Sequence, residues 1–228
     1  MGCSGGGKQK DYIVATKFLP RSQEELGRNV SGQAHVADCL DRSLKRLGLD
    51  YVDLLLIYHY YGTYHAMKEA YKAGKVRAIG VSNFYPDRLI DICQFVEVRP
   101  AVNQVETHVF QQQTKAHEIM EKYGVQHESW GPFAEGRNDF FTNQVLNEVG
   151  KKYGKSAAQT ALCYMIQSNV VVILKSTHKE RMEQNIDVFN FELSAEDMAA
   201  IKALDQGESL FFSHYDPDTV EFLTGLGK

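Results

Sequence analysis

The sequence predicts an α/β fold in which parallel strands alternate with helices. Short β-branched and apolar runs recur along the 228 residues, and most are followed by a stretch whose apolar residues keep a helical spacing. Glycines frequently separate a helical stretch from the next apolar run. Alternation at these intervals is typical of βα units, and the chain length suits one α/β domain or two small ones.

Six runs carry the strand pattern. The second of them, V-D-L-L-L-I, is almost continuously apolar, as expected for a strand buried on both faces. The predicted strands are 12–18, 52–57, 76–80, 101–105, 125–130 and 170–173.

The stretches between and after these runs carry the helix pattern. In the first, Val36, Leu40, Leu44 and Leu47 share one helical face, and Gly48 ends the helix. The predicted helices are 36–47, 64–73, 87–95, 114–123, 143–153, 157–166, 179–185 and 192–203, and the tail from 204 to 228 is expected to be irregular.

The order of elements favours a barrel. About six βα units are present, eight would close a barrel, and right-handed crossovers favour closure over an open doubly wound sheet. No G-x-G-x-x-G follows the first strand, which argues against a dinucleotide fold of the Rossmann kind.

Composition excludes several classes of function. A net charge of −4 gives no electrostatic footprint for nucleic acid, and no apolar run is long enough for stable membrane insertion. The four cysteines, Cys3, Cys39, Cys93 and Cys163, have no metal-ligand spacing, so no metal site is predicted. Scattered cysteines of this kind fit a reduced, cytoplasmic setting.

Residues 1–10 are predicted to form a flexible, glycine-rich tail, followed by a single domain over 11–228. The tail partly resembles an acylation signal, with Gly2 for myristate and Cys3 for palmitate. However, Gly6 stands where Ser or Thr is expected, so a flexible tail is favoured over lipidation.

The stretch 76–84, V-R-A-I-G-V-S-N-F, is the first candidate site. It opens as a buried strand, breaks at Gly80 and ends in two small polar residues, Ser82 and Asn83. Ligands in α/β proteins bind beyond the carboxyl ends of strands. The hydroxyl and the amide together suit a planar carboxamide such as that of nicotinamide. The alternative is that these residues cap the following helix.

Polar or aromatic residues also lie at or just past the carboxyl ends of the other predicted strands: Lys17, His59, Gln104, Trp130 and Lys175-Ser176. A lysine and a histidine can polarise a carbonyl and transfer one proton, and an aromatic face can stack on a nicotinamide ring. Lys175 and Ser176, followed by Arg181, can hold a phosphate. The alternative for this last group is ordinary surface charge at the start of a helix.

Several long motifs resemble the aldo-keto reductases: G-K-V-R-A-I-G-V-S-N-F (74–84), P-A-V-N-Q-V-E-T-H (100–108), W-G-P-F-A-E-G (130–136), L-K-S-T-H-K-E-R-M-E-Q-N (174–185) and L-K-R-L-G-L-D-Y-V-D-L (44–54). They are nearest to members that reduce diketogluconate, small aldehydes or prostaglandin endoperoxides, and the resemblance covers about 11–228. It implies a (β/α)8 barrel of the TIM type and NADPH-dependent interconversion of small-molecule carbonyls and alcohols.

The resemblance also implies roles for individual residues. Ser82, Asn83 and Gln104 match the residues that bind the carboxamide, and Trp130 matches the aromatic that stacks on the nicotinamide. The residues that match the grip on the adenosine phosphate and adenine are Lys175, Ser176, Arg181 and Asn185. Lys175 and Arg181 favour NADPH over NADH because both can meet the 2′-phosphate, whereas Gln184 stands where an acidic residue is more usual.

The chain departs from the family at the catalytic tetrad of Asp, Tyr, Lys and His. Lys17 matches the lysine. The family's histidine position is occupied by Tyr58 here, and His59 falls one place later. Tyr58 is therefore an alternative proton donor. The sequence begins at what resembles the third strand, so the Asp and Tyr have no counterpart. We therefore expect a truncated barrel of strands 3–8 with Lys17 and His59 as catalytic residues.

Three functions follow as expectations. The first is an NADPH-dependent reductase of aldehydes and ketones, impaired by the lack of the Asp and Tyr. The second is a non-catalytic NADPH-binding or regulatory interaction protein. The third is a truncated product with no independent role. Strands three and eight would expose unpaired edges in such a barrel, which also predicts a homo-oligomer that covers them.

Overall fold

The computed structural model describes residues 13–18, 32–58 and 61–225 of the chain. The strands are β1 (Ala15–Phe18), β2 (Val52–Tyr58), β3 (Val76–Ser82), β4 (Val102–Glu106), β5 (Gln126–Trp130) and β6 (Val171–Val172). The helices are α1 (Gly32–Leu47), α2 (Tyr61–Lys72), α3 (Pro86–Phe95), α4 (Thr114–Tyr123), α5 (Gln144–Tyr153), α6 (Ala157–Gln167), α7 (Lys179–Ile186), α8 (Ala195–Lys202) and α9 (Pro217–Gly225).

The six strands form one sheet in the order β1-β2-β3-β4-β5-β6, so each strand lies beside the next one in the sequence. β1 pairs with β2 in parallel, with Lys17 opposite Leu56, and β2 pairs with β3 in parallel, with Tyr58 opposite Ser82. β5 and β6 are also parallel. The predicted α/β fold of about six parallel βα units is thereby confirmed.

The chain divides into two compact units, one of residues 1–103 with 214–228 and the other of residues 104–213. The core of the first unit is formed by side chains that the helical and strand patterns place inward. Leu40 of α1, Ile57 of β2, Ile79 of β3 and Leu89 of α3 are all 2% exposed or less. Burial of such side chains is the main favourable contribution to the folding of this unit.

Gly80 lies in β3, where the neighbouring strands approach closely. A Cβ atom at this position would lie 2.6 Å from Leu56 Cδ2 and 2.9 Å from the carbonyl oxygen of Val102. The glycine in the V-R-A-I-G-V-S-N-F motif is therefore needed for strand packing, and β3 continues through it to Ser82.

The second unit has its own core, in which Phe140, Leu146, Leu162 and Ile201 are fully buried. Helix α6 contributes more of the described buried core residues than any other element, and it begins with a capping box. There the Ser156 side chain accepts from the backbone of Gln159, and the Gln159 side chain accepts from the backbone of Ser156.

The expectation of an irregular tail after residue 204 is wrong for its last part, which forms α9. The side chain of Asp216 accepts hydrogen bonds from the backbone N–H groups of Asp218 and Thr219, and Pro217 begins the helix. An acidic residue followed by proline is a known helix start signal, because proline needs no N–H acceptor in the first turn.

Within the described ranges, no helix is both long enough and apolar enough to cross a membrane.

Candidate cofactor site

The first unit carries the predicted catalytic lysine. Lys17 lies in β1 with an exposed side chain. Its predicted partner, His59, lies outside the described residues, as does the predicted tail 1–10. The assignment of Lys17 and His59 as a catalytic pair therefore stays a prediction.

Ser82 and Asn83 lie where β3 ends. Ser82 is fully buried, and within the described part of the chain its Oγ atom has no hydrogen-bond partner. Asn83 is 3% exposed and adopts the left-handed conformation, with φ of 57°. A buried hydroxyl without a partner costs about 1–3 kcal/mol, so an incoming polar group such as a carboxamide would be stabilised at Ser82.

The alternative, that Ser82 or Asn83 caps the next helix, is wrong. The N-cap of α3 is Tyr85, and it forms no side-chain capping bond. Proline at the start of α3 removes one of the N–H groups that a cap would satisfy. Neither Ser82 nor Asn83 therefore occupies the N-cap position of this helix.

Asn103 supports this turn and was not predicted as a site residue. Its side chain is fully buried, and its amide forms two hydrogen bonds with the backbone of Phe84, the residue after Asn83. A polar residue one place before Gln104 in a buried strand was the sequence signal for it. Its role is to hold the turn that carries Ser82 and Asn83.

Asn83 also lines a small cavity of about 190 Å³ in the first unit. Tyr85 and His214 contribute to the wall, and their rings meet edge to face with centroids 5.4 Å apart. The backbone N–H of His214 donates to the Tyr85 hydroxyl at 3.4 Å. The segment after residue 213 thus lies against the turn that follows β3.

In the second unit, Gln104 is 8% exposed, and its side-chain Nε2 donates to Glu128 Oε1 at 2.5 Å. Glu128 is itself 6% exposed and lies in β5. A charge-assisted hydrogen bond of this kind fixes the orientation of the Gln104 amide.

Trp130 is the last residue of β5 and is half-buried. Its ring centroid lies 5.2 Å from that of Phe211 and 6.3 Å from that of Phe212. The two phenylalanines were not predicted to contact the tryptophan, because nothing in the local pattern relates residue 130 to a segment some 80 positions later.

The four residues predicted to hold the adenosine end line one cavity of about 630 Å³ in the second unit. This volume suits a nucleotide-sized ligand. The wall comprises Phe133, Phe141, Asn147, Ser156, Ala157, Ala158, Lys175, Ser176, Thr177, His178, Arg181, Gln184 and Asn185. Sequence reasoning missed the contributions of Phe133, Phe141, Asn147 and 156–158, which come from segments before β6.

The charge of this cavity is positive. Lys175 and Arg181 line it, and no carboxylate is among the wall residues that the structure describes. Within the described ranges neither cation forms an ion pair with a carboxylate, whereas Lys179, on the same helix as Arg181, faces Glu183 at 3.5 Å. A pair of cations that no carboxylate neutralises is suited to an anionic group such as a phosphate.

Ser176 shapes the loop between β6 and α7. Its hydroxyl donates to the carbonyl oxygen of His178 at 3.3 Å and accepts from the backbone N–H of the same residue at 3.1 Å. The loop therefore presents Lys175 and the start of α7 at the same cavity. The participation of these side chains in binding stays a prediction.

Comparison with known proteins gives a consistent result. The aldo/keto reductase family model matches residues 3–206. The glyoxal reductase of Bacillus subtilis is 42% identical over 173 residues, which is 74% of this chain and 62% of that protein. The 2,5-diketo-D-gluconic acid reductase B of a Corynebacterium species is 35% identical over 219 residues, 93% of this chain and 75% of that protein.

Solved structures agree with the sequence relatives. An aldo-keto reductase from a deep-sea metagenome library of the Medee basin has a TM-score of 0.85 at 34% identity, covering 93% of this chain and 78% of its own. An aldo-keto reductase of the silkworm Bombyx mori, complexed with NADPH, has a TM-score of 0.79 at 28% identity. The match covers 89% of this chain and 66% of the silkworm chain. The family model and these relatives together show that the chain belongs to the aldo/keto reductase family.

Proposed function

We propose that this chain binds NADPH and reduces small aldehydes or ketones to alcohols. The observation that carries the proposal is the cavity of the second unit, where Lys175, Ser176, Arg181 and Asn185 line one wall and no described wall residue is a carboxylate. The cations would hold the 2′-phosphate, which is the group that distinguishes NADPH from NADH. Relatives that reduce glyoxal and diketogluconic acid suggest small carbonyl compounds as the substrate class.

The nicotinamide end would be held by residues at or near the carboxyl ends of β3, β4 and β5. The buried Ser82 hydroxyl, which has no partner among the described residues, fits a carboxamide, and Asn83 and Gln104 supply further amide groups. Trp130 offers an aromatic face for the ring. When bound, NADPH supplies a hydride to the carbonyl carbon.

The proton that completes the reduction must come from a side chain or water. We assign Lys17 to this step, because its positive charge would lower the pKa of a neighbouring proton donor. His59 and Tyr58 are the candidates for that donor, because Tyr58 is the last residue of β2 and His59 is the next residue in the sequence.

A second function is NADPH binding without catalysis. The proposed residues for the adenosine end line one cavity of the second unit, whereas the proposed catalytic His59 lies outside the described residues. A chain that uses only its cofactor residues would act as an NADPH-binding regulatory or interaction protein.

The two functions are separated by a paired measurement. NADPH binding is measured by calorimetry, and turnover is measured as loss of the reduced nicotinamide absorbance after addition of methylglyoxal. Turnover that disappears in Lys17→Met but persists in Lys45→Met, a matched change at an exposed lysine of α1, supports the reductase. Binding without turnover supports the binding protein, and the absence of binding contradicts both.

A further inference from the structure

We propose that Glu106 is a positioning residue for the NADPH site: it holds the segment 209–212 against Trp130 and thereby sets the affinity for the nicotinamide end of the cofactor. We call the segment 209–212 the aromatic strap. The inference rests on the proposed function, because it requires that Trp130 receives the nicotinamide. All residues involved belong to the second unit.

Glu106 is the last residue of β4 and is 3% exposed. Its two carboxylate oxygens accept three hydrogen bonds. Oε2 accepts from the Ser209 hydroxyl at 2.5 Å, while Oε1 accepts from the backbone N–H of Leu210 at 3.0 Å and from His108 Nε2 at 3.0 Å. Two of the three donors therefore belong to the strap.

The orientation of His108 is fixed by its other ring nitrogen. Nδ1 accepts from the backbone N–H of Phe110 at 3.2 Å, so the hydrogen of the neutral ring is assigned to Nε2, which faces Glu106. The ring is fully buried. A buried carboxylate is costly unless its oxygens are satisfied, and here the strap supplies donors that satisfy them.

The strap is folded by Ser209 itself. Its Oγ atom accepts from the backbone N–H groups of Phe211 and Phe212, both at 3.0 Å. Because the same hydroxyl donates to Glu106, the carboxylate and the turn form one connected network. Removal of the carboxylate would release the turn that aims the two phenylalanines.

The two phenylalanines meet Trp130. The guanidinium of Arg137 lies 4.1 Å from the ring centroid of Phe211, and it donates to the carbonyl oxygen of Leu210. Phe211 is also 5.2 Å from the Trp130 ring, centroid to centroid, and a Cβ at Gly131 would contact it at 3.7 Å. Phe211 thus packs between Arg137 and Trp130, and it lies against the backbone of Gly131.

The position of Glu106 in β4 connects this network to the predicted carboxamide site. Gln104 and Glu106 are two residues apart in one strand, so their side chains leave the same face. Gln104 is predicted to bind the carboxamide of the nicotinamide. Glu106 holds the aromatic strap against Trp130, which is predicted to stack on the nicotinamide ring. Glu106 acts on the cofactor through Trp130 and does not touch it.

The test compares Glu106→Gln with the wild-type chain using two probes, NADPH and 2′-phospho-ADP-ribose, which lacks the nicotinamide. Glutamine keeps the size of the side chain but offers only one acceptor oxygen, so part of the strap's hydrogen bonding is lost. We expect the Kd for NADPH to rise about tenfold while the Kd for 2′-phospho-ADP-ribose is unchanged. The emission of Trp130 should also shift, because the two phenylalanines that contact its ring would move. The signal can be assigned to this residue because it is the single tryptophan.

The matched control is Asp205→Asn, which alters another carboxylate of the second unit that accepts from backbone N–H groups of Gln112 and Gly207. It should leave both dissociation constants as in the wild type. Ser209→Ala is the second variant, should Glu106→Gln fail to fold; it retains the carboxylate and should raise the Kd for NADPH by about threefold.

Equal weakening of both probes in Glu106→Gln, or a Kd for NADPH equal to that of the wild type, would overturn the inference. Wild-type binding of NADPH keeps the proposed function intact in either case. Failure of the wild-type chain itself to bind NADPH would overturn the proposed function, and this inference with it.

Discussion

The side-chain amide of Asn103 is joined to the backbone of Phe84 by two hydrogen bonds. Asn103 Nδ2 donates to the Phe84 carbonyl oxygen at 2.7 Å, and the Phe84 N–H donates to Asn103 Oδ1 at 3.3 Å. Both backbone groups follow directly after Ser82 and Asn83. One buried side chain therefore fixes the turn on which two predicted cofactor residues lie.

Replacing Asn103 by Asp should weaken this turn. The substitution keeps the size but removes the donor to the Phe84 carbonyl, leaving a buried acceptor unsatisfied. We expect the free energy of unfolding to fall by about 1–3 kcal/mol and the affinity for NADPH to fall with it. Urea unfolding checks the first effect, with Asn169→Asp at an exposed position as the control. Equal stability of the two variants would show that the paired hydrogen bonds contribute nothing.

His127 should make the protein sensitive to moderate acid. Burial, with the neighbouring His117 as a second cause, lowers the pKa of His127 from 6.5 to about 3. The ring nitrogens of the two histidines are 2.9 Å apart, and the other ring nitrogen of His127 lies 2.7 Å from the Thr107 hydroxyl.

Between pH 6.5 and about pH 3 the unfolded chain binds a proton at this residue and the folded chain does not. The stability that comes from a neutral His127 is therefore fully present above pH 6.5 and is lost as the pH falls. We expect the free energy of unfolding to decrease by about 2 kcal/mol between pH 7 and pH 5. Urea unfolding at the two pH values checks this. The difference in stability between the two pH values should shrink in His127→Gln and persist in His65→Gln, which changes an exposed histidine. An undiminished difference in His127→Gln would assign the acid sensitivity to other groups.

Arg181 should discriminate between the two nicotinamide cofactors. It lines the positive cavity and faces no carboxylate within the described ranges, so Arg181→Ala should weaken NADPH binding about tenfold or more and NADH binding far less. Lys179→Ala removes one positive charge from the same helix but outside the cavity wall, and should change neither. Parallel losses for both cofactors, or an effect of the lysine change as large as that of the arginine change, would contradict a 2′-phosphate site at Arg181.

Most of the fold was predictable from local patterns. Helix α4, at Thr114–Tyr123, was predicted at its observed bounds because a glycine follows it and its apolar residues keep one face. The end of β3 was predicted two residues short, because Gly80 looks like a strand end in sequence but is a close-packing position in the sheet. Helix α9 was missed because the aromatic character of the tail concealed its Asp-Pro start.

The site was predictable only where its residues lie near the carboxyl ends of strands or form one local motif. Lys175, Ser176, Arg181 and Asn185 lie within eleven positions of each other, and the structure brings them to one cavity. The supporting contacts join distant parts of the chain: Glu106 with Ser209, and Trp130 with Phe211. Pairings of this kind depend on tertiary packing, which local periodicity does not specify.

The measurement that tests the central claim most directly is a titration of the chain with NADPH, followed by the fluorescence of Trp130, its single tryptophan. The residue is predicted to stack on the nicotinamide, so its emission reports the occupied site. We expect saturable quenching with a dissociation constant on the order of micromolar, and much weaker binding of NADH. Emission that stays constant across the NADPH titration would contradict the assignment of Trp130 and the cofactor site built around it.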